Sequence, residues 1–247
     1  MTRIALITGS NKGIGYETAR LLGSRGFAVL VAARDETRGR AAAEALGATF
    51  VPLDVVDDES IQRAASFVEA EYGRLDLLVN NAGLIGDLAE ARGLPSGTTR
   101  EALRQVFETN VFGVVAVTNA FLPLLRKADA ARIVNVSSEV GSITSTTDPA
   151  GPLYQLVGIP YPASKTALNM VTAMYAKELR DTPIVVTAAN PGYCATDLNG
   201  NSGFRTPEQG ASVIVALATG EADASGGQLW GDLSLLGTAD QNGVIPW

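Results

Sequence analysis

Ile4-Ala5-Leu6-Ile7-Thr8-Gly9-Ser10-Asn11-Lys12-Gly13-Ile14-Gly15 is the stretch that decides the fold. Ile4–Thr8 is an apolar run of strand length, Gly9 ends it, and a helical pattern starts at Gly13 and continues to Ser24. A strand passing through a glycine-rich turn straight into a helix opens a βαβ unit. Gly9, Gly13 and Gly15 let other groups approach the backbone closely. A helix N-terminus at this point offers free N–H groups and the positive end of the helix dipole. The spacing Gly-x-x-x-Gly-x-Gly is neither Gly-x-Gly-x-x-Gly nor a P-loop, because no Gly-Lys-Ser/Thr tripeptide closes it. Spacing alone also allows a flexible turn that binds nothing. Its place between a first strand and a first helix favours a turn built for an anion.

The same rhythm extends along the chain. Phe27–Ala33, Ala48–Leu53, Leu75–Val79, Arg132–Val136 and Ile184–Ala188 read as further strands, with Gln228–Trp230 as a seventh. Helical patterns fall between them at Thr37–Leu46, Asp58–Tyr72, Thr99–Lys127, Ala163–Arg180 and Thr206–Ala218. Continuous Val/Ile/Leu runs belong to strands covered on both faces. The chain is therefore expected to be an α/β protein, with one domain over residues 1–247. Its architecture is a single Rossmann-type, doubly wound parallel sheet of about seven strands flanked by helices. Leu84–Gly97, Glu139–Pro160 and Tyr193–Arg205 interrupt the pattern. All follow strands, at the carboxyl edge where such sheets bind ligands, so they are expected to wall a site.

Composition narrows the chemistry. Across 247 residues 46% are apolar, enough for a large core and too many for disorder. No run of eighteen apolar residues occurs and a strand begins almost at once, so neither a membrane span nor a signal peptide is expected. A single cysteine, Cys194, excludes disulfides and cysteine-cluster zinc sites and suits the cytoplasm. The net charge of −7 argues against a nucleic-acid surface. There is no histidine, which removes every Ser-His-Asp and Cys-His triad and every imidazole metal ligand. No metal is expected. A proton donor here must be a carboxyl, a lysine or a tyrosine, or a cofactor must do the work.

An anion-binding first turn in such a sheet points to a dinucleotide. A free ribose 2′-hydroxyl calls for an acid at the end of the second strand, and a 2′-phosphate calls for arginine. Ala33 stands where the acid would be, and Arg34, Arg38 and Lys12 surround the position. Arginine's planar fork suits a phosphate, so NADP(H) is expected over NAD(H). The alternative is a solvated basic stretch neutralised by Asp35 and Glu36.

Of six tyrosines only Tyr161 is followed by a lysine four positions on, Lys165. The two share one helix face. An adjacent ammonium favours the phenolate and can lower a phenol's pKa by about 1–3 units, which would give an acid–base group without histidine. Pro162 disfavours helical angles at Tyr161, so Tyr161 is expected in the first turn.

Thr8-Gly-x-x-x-Gly-x-Gly15, Asn80-Asn81-Ala82-Gly83 and Tyr161-Pro-Ala-Ser-Lys165, in this order from residue 3 to about residue 200, resemble the classical short-chain dehydrogenase/reductase family. Asn11-Lys12, Arg34-Asp35, Arg38 and the widened gap before Tyr161 are most similar to its NADPH-dependent carbonyl reductase branch. The resemblance implies a reversible reduction of a ketone or aldehyde, a small-molecule carbonyl/alcohol substrate, and a catalytic set of Asn110, Ser138, Tyr161 and Lys165. Strand alternation turns Ser137 and Ser138 to opposite faces, and the family pattern selects Ser138 with Ser137 as fallback. Asn110 would hold a proton-relaying water, and Lys165 would also bond the nicotinamide ribose. The cofactor contacts it implies are Gly9, Ser10, Asn11, Lys12, Gly13, Ile14, Gly15, Arg34, Arg38, Asp54, Val55, Asn81, Ala82, Gly83, Tyr161, Lys165, Pro191, Gly192, Cys194 and Thr196.

A longer segment before the tyrosine covers the subunit face in the carbonyl reductase branch, and 139–160 is shorter, which leaves a homo-oligomer open. Residues 193–205 are expected to form a substrate loop. Tyr154, Leu156, Tyr193, Leu198 and Phe204 suggest an apolar or aromatic guest. Cys194 lacks a base and is not read as a nucleophile. A non-catalytic NADP(H) sensor is the rival reading, and it would be expected to lose catalytic residues. A nucleotide-sugar epimerase or dehydratase would need a larger C-terminal part. The tail Gly243–Trp247 is expected either at the mouth of the site or on a neighbouring copy.

Overall fold

Strand β1, Ile4–Thr8, is buried along its whole length, as a strand covered on both faces must be. In the computed structural model, which describes residues 2–87, 93–222, 224–238 and 241–247, β1 lies in the middle of an eight-stranded sheet. The other strands are β2 (Ala28–Ala33), β3 (Thr49–Pro52), β4 (Leu77–Asn80), β5 (Ala131–Val136), β6 (Ile184–Asn190), β7 (Leu229–Asp232) and β8 (Asn242–Ile245). Their spatial order is β3-β2-β1-β4-β5-β6-β7-β8, and only the β7–β8 pairing is antiparallel. The strand order reverses between β1 and β4, and the crevice there is the place for a ligand.

Side-chain alternation builds a core on each face. Ile4 and Leu6 of β1 pack with Leu78, Ile133 and Val186, and this layer is covered by α3 (Asp58–Tyr72) and α5 (Gly113–Leu125) through Ile61, Val68, Val117 and Phe121. Ala5 and Ile7 point the other way, to α1 (Gly13–Ser24), α2 (Glu36–Leu46) and α8 (Pro207–Thr219) through Leu22, Ala43 and Val213. Helix ends follow local chemistry. Asp57 caps α3 by accepting from Glu59 and Ser60 N–H groups, and Thr206 and Gln209 form a capping box at α8. Between β4, β5 and the helices, Asn80, Thr118, Asn135 and Thr172 form a buried hydrogen-bonded chain.

Three features differ from expectation. The expected helix Thr99–Lys127 is α4 (Arg100–Phe107) and α5, joined by a π turn over Glu108–Phe112. By length and composition alone the run Arg100–Leu125 would be long and apolar enough to cross a membrane, yet more than half of its most apolar stretch is buried in the fold. Within 139–160, the β-branched stretch Ile143–Thr147 forms a short helix α6, capped by Ser142 Oγ accepting from Ser145 N–H. The tail forms β8 on the sheet edge, and the Trp247 carbonyl accepts from Thr144 N–H and Oγ1–H. Asn242-Gly243 reads locally as a turn, so pairing with β7 was hidden from propensity. Part of the expected wall Leu84–Gly97, residues 88–92, lies outside the described residues.

Candidate active site

The carboxyl ends of the strands open into a cleft of about 1060 Å³. The glycine turn forms one end of it. Gly9 has φ +65°, and a Cβ there would come within 2.9 Å of Ala82 Cα. A Cβ on Gly15 would meet Asn81 Nδ2. These glycines are thus demanded by the chain's own packing against the turn after β4. Asn81 completes the junction by donating to the Thr8 and Gly9 carbonyls at 2.8 and 3.2 Å. Gly13 has φ +59° and only the Thr196 side chain near its missing Cβ, so its backbone faces the cleft. Helix α1 has no side-chain cap at its N-terminus. Its uncapped N–H groups and positive dipole end suit an anion there.

Arg34 and Arg38 are exposed at the same end. Arg34 has no ion-pair partner among the described residues, whereas Arg38 lies 3.5 Å from its own helix cap, Asp35. Lys12 reaches across to Asp197 of the 193–205 loop at 2.8 Å, and that contact holds the Asp197 carboxyl below its ordinary range.

At the other end, β5 runs into Ser137 and Ser138, which the alternation separates. Ser137 is buried and donates to Asn169 Oδ1. Ser138 lines the cleft and hydrogen-bonds the Tyr161 phenol. Helix α7, Pro160–Glu178, begins one residue before Tyr161, so Pro160 and Pro162 both sit in its first turn, where a missing N–H costs nothing. Lys165 follows one turn on, with Nζ 5.4 Å from the Tyr161 ring centroid and donating to the Val136 carbonyl at 2.8 Å.

The electrostatics differ from a phenol simply acidified by its lysine. Burial pushes the phenol above its ordinary value, the nearby Glu139 charge adds to this, and the Ser138 hydrogen bond opposes both. Burial also draws the Lys165 ammonium down to about 8. Desolvation disfavours the charged form of both groups, and the Lys165 ammonium lies over the ring with its hydrogen bond given to the Val136 carbonyl.

Of the candidate residues, Gly9, Asn11, Lys12, Gly13, Ile14, Gly15, Arg34, Arg38, Asp54, Val55, Asn81, Ala82, Gly83, Ser138, Tyr161, Lys165, Pro191, Gly192, Cys194 and Thr196 all line this one cleft. Ser10 does not. Its hydroxyl donates to the Ile7 carbonyl and accepts from Ala32 N–H, tying β1 to β2. Asn110 is also set back, on the π turn. It accepts from Leu84 N–H at 2.9 Å, and its amide donates to the Leu84 carbonyl and to Ser164 Oγ at 2.9 and 3.0 Å. Cys194 is buried and its thiol is pushed up to about 11, mainly by burial, the opposite of an activated nucleophile. Leu153, Leu156, Tyr193 and Leu198 give the mouth an apolar wall. Sequence reasoning passed over Glu139, a buried acid lining the cleft directly after Ser138. An acid directly after the paired serines, opening a segment expected to wall the site, was the available signal.

Comparison with known proteins agrees with this geometry. Residues 3–205 match the profile of the short chain dehydrogenase family. Short-chain dehydrogenase anuI of Penicillium roqueforti is 41% identical over 243 residues, covering 93% of this chain and 92% of its own. Carbonyl reductase [NADPH] 1 of Bos taurus is 34% identical, covering 90% and 93%. The crystal structure of NADPH-bound carbonyl reductase from chicken fatty liver superposes with a TM-score of 0.83 at 27% identity, covering 100% of this chain and 99% of the other. The chain belongs to the classical short-chain dehydrogenase/reductase family, is similar to its carbonyl reductase branch, and is an oxidoreductase of alcohol and carbonyl groups that uses a nicotinamide cofactor.

Proposed function

We propose that this chain is an NADP(H)-dependent reductase of a ketone or aldehyde, reversible toward alcohol oxidation, acting as one catalytic domain with a substrate loop at 193–205. The observation that carries the reading is the convergence of Ser138, Tyr161 and Lys165 in a cleft whose far end holds Arg34, Arg38 and the uncapped N-terminus of α1. The basic end fits a 2′-phosphate, and the glycine turn fits a pyrophosphate. Asp54 and Val55 suit the adenine, Asn81, Ala82 and Gly83 the adenosine ribose, and Pro191, Gly192, Cys194 and Thr196 the nicotinamide end. When bound, the reduced nicotinamide supplies the hydride for the carbonyl carbon.

The protein's own groups handle the proton and the developing charge. Ser138 donates a hydrogen bond to the carbonyl oxygen as negative charge grows on it. Tyr161 gives that oxygen its phenolic proton. The upward push on the phenol keeps it protonated near neutrality, the form that reduction consumes. Lys165 holds the ribose and restores the positive field around the phenolate left behind. Asn110, fixed between Leu84 and Ser164, carries the relay that returns a proton to the site. The apolar mouth admits a small apolar or aromatic guest.

The test is Tyr161→Phe, assayed for NADPH consumption across a carbonyl panel beside NADPH binding. Turnover is expected to vanish with binding retained, and full activity would refute the assignment. A wild-type chain that binds NADPH without turning over any carbonyl would favour a sensor instead.

A further inference from the structure

We propose that Glu139 is a positioning residue for the acid–base step: its buried carboxyl, held directly after Ser138, sets the pH at which Tyr161 exchanges its proton. The proposal rests on the reading of Tyr161 above.

The side chain is buried at the wall of the cleft. Glu139 opens a 3-10 turn, Glu139–Gly141, and is only 3% exposed. Its Oε2 atom has no hydrogen-bond partner among the described residues. The turn is clamped to α7. A Cβ on Gly141 would lie 2.7 Å from the Lys165 backbone carbon, and the Gly141 carbonyl accepts from Thr166 Oγ1–H and Asn169 Nδ2–H at 3.0 and 3.2 Å. The carboxyl is therefore fixed relative to the helix that carries Tyr161.

The charges around it explain its state. Arg205 faces it from the 193–205 loop and Asp232 from β7, with Asn190 at the end of β6. Cys194 sits in the same cluster, and α7 contributes Tyr161 with Lys165 behind it. Two carboxyls thus share one guanidinium. Asp232 holds it through the Arg205 Nη1–Asp232 Oδ1 pair, and Asp232 also accepts from the Ser234 hydroxyl at 2.8 Å. Asn190 is committed to Asp232 as well, donating to its carbonyl at 2.7 Å, and accepts from the Glu139 N–H. A buried carboxyl beside a like charge, with its counter-ion already engaged, favours the neutral form. Burial pushes Glu139 up to about 7; hydrogen bonds from its own backbone and from the Asn190 side chain oppose this, Asp232 adds a smaller upward push, and Arg205 a smaller downward one. Once ionised, Glu139 raises the Tyr161 phenol. Loss of the Glu139 proton thus makes Tyr161 hold its own more firmly, and the two titrate as a coupled pair.

The experiment pairs kinetics with a spectrum of the cofactor-free protein. Alcohol oxidation consumes the phenolate, so Glu139→Gln is expected to shift the rising limb of its kcat/KM–pH profile downward by about one unit. NADP(H) affinity stays unchanged. Infrared difference spectra of the cofactor-free wild type are expected to show a protonated-carboxyl C=O stretch that titrates near about 7 and is missing from Glu139→Gln. An unshifted limb, or a wild type without that band, overturns the proposal, and the wild-type spectrum decides even if the variant fails to fold. A dead Tyr161→Phe beside an unshifted Glu139→Gln limb sinks the proposal alone. A fully active Tyr161→Phe sinks it together with the reading beneath it.

Discussion

The amide nitrogen of Asn110 lies 3.0 Å from Ser164 Oγ, which binds the π turn between α4 and α5 to the helix position immediately before Lys165. Asn110 also satisfies both backbone groups of Leu84. Asn110→Ala leaves the partly buried N–H and C=O of Leu84 without this partner, at a cost of about 1 kcal/mol. Urea unfolding is expected to show this loss, and kcat to fall about tenfold or more through the interrupted proton relay. A variant as stable and as active as the wild type would contradict both roles.

Ser138 offsets the upward push on the phenol and is proposed to steady the substrate oxygen. Ser138→Ala is expected to lower kcat for carbonyl reduction by about 10²–10³. Ser137→Ala, which loses the contacts to Asn169 Oδ1 and to the Lys165 carbonyl, is expected to retain most of the rate. Steady-state kinetics of the pair distinguish the two serines.

The phenol's raised pKa gives the two directions opposite pH dependence. Reduction uses the protonated form, so its kcat is expected to stay level through neutral pH and decline only in alkaline buffer. Oxidation uses the phenolate and is expected to climb with pH over the same range. Stopped-flow profiles under saturating cofactor check the sign.

Arg34 and Arg38 are expected to read the 2′-phosphate. Charge-assisted hydrogen bonds are worth about 1.5–3 kcal/mol, so Arg34→Ala is expected to raise the KM for NADPH by about 10- to 100-fold. The KM for NADH should change little, since that cofactor lacks the phosphate. Equal losses with both would remove the basis for the NADP(H) assignment.

Folding stability without cofactor should carry two separate titrations. Glu139 has a folded pKa raised from 4.5 to about 7, so the stability it contributes is fully present below about 4.5 and lost as pH rises through about 7. Lys165 is lowered from 10.5 to about 8, so its contribution falls away as pH drops through about 8, leaving a burial penalty in neutral buffer. Lys165→Met is expected to stabilise the cofactor-free chain by about 1–3 kcal/mol at neutral pH while abolishing turnover. Urea unfolding across the pH range checks both slopes. A Lys165→Met chain less stable than the wild type would show that the Val136 hydrogen bond outweighs the penalty.

What was legible in the sequence is what local chemistry dictates. β1, the glycine turn and the place of Tyr161 and Pro162 in the first turn of α7 follow from strand periodicity, glycine's freedom and proline's fixed φ. Tyr161 and Lys165 stand out by their spacing; strand alternation separates Ser137 from Ser138, and the family resemblance selects Ser138. What escaped depends on partners remote in sequence. Ser10 looks like part of the turn but spends its hydroxyl on joining β1 to β2. Asn242–Ile245 becomes a strand only because β7 offers an open edge. Glu139 acquires its character from burial, with Asn190, Asp232 and Arg205, all more than fifty positions on along the chain, adjusting it.

The π turn at Glu108–Phe112 gives this rod a tolerance that neither neighbouring helix has. A π turn takes about one residue more per turn than an α-helix, so losing one residue there would let the ladder relax to ordinary α-helix with α4 and α5 keeping their faces. A deletion inside α4 would instead turn the residues before it by about 100°, carrying Ala102 out of the interior. A change in length is absorbed only at the turn that carries Asn110, and Asn110 would lose its place.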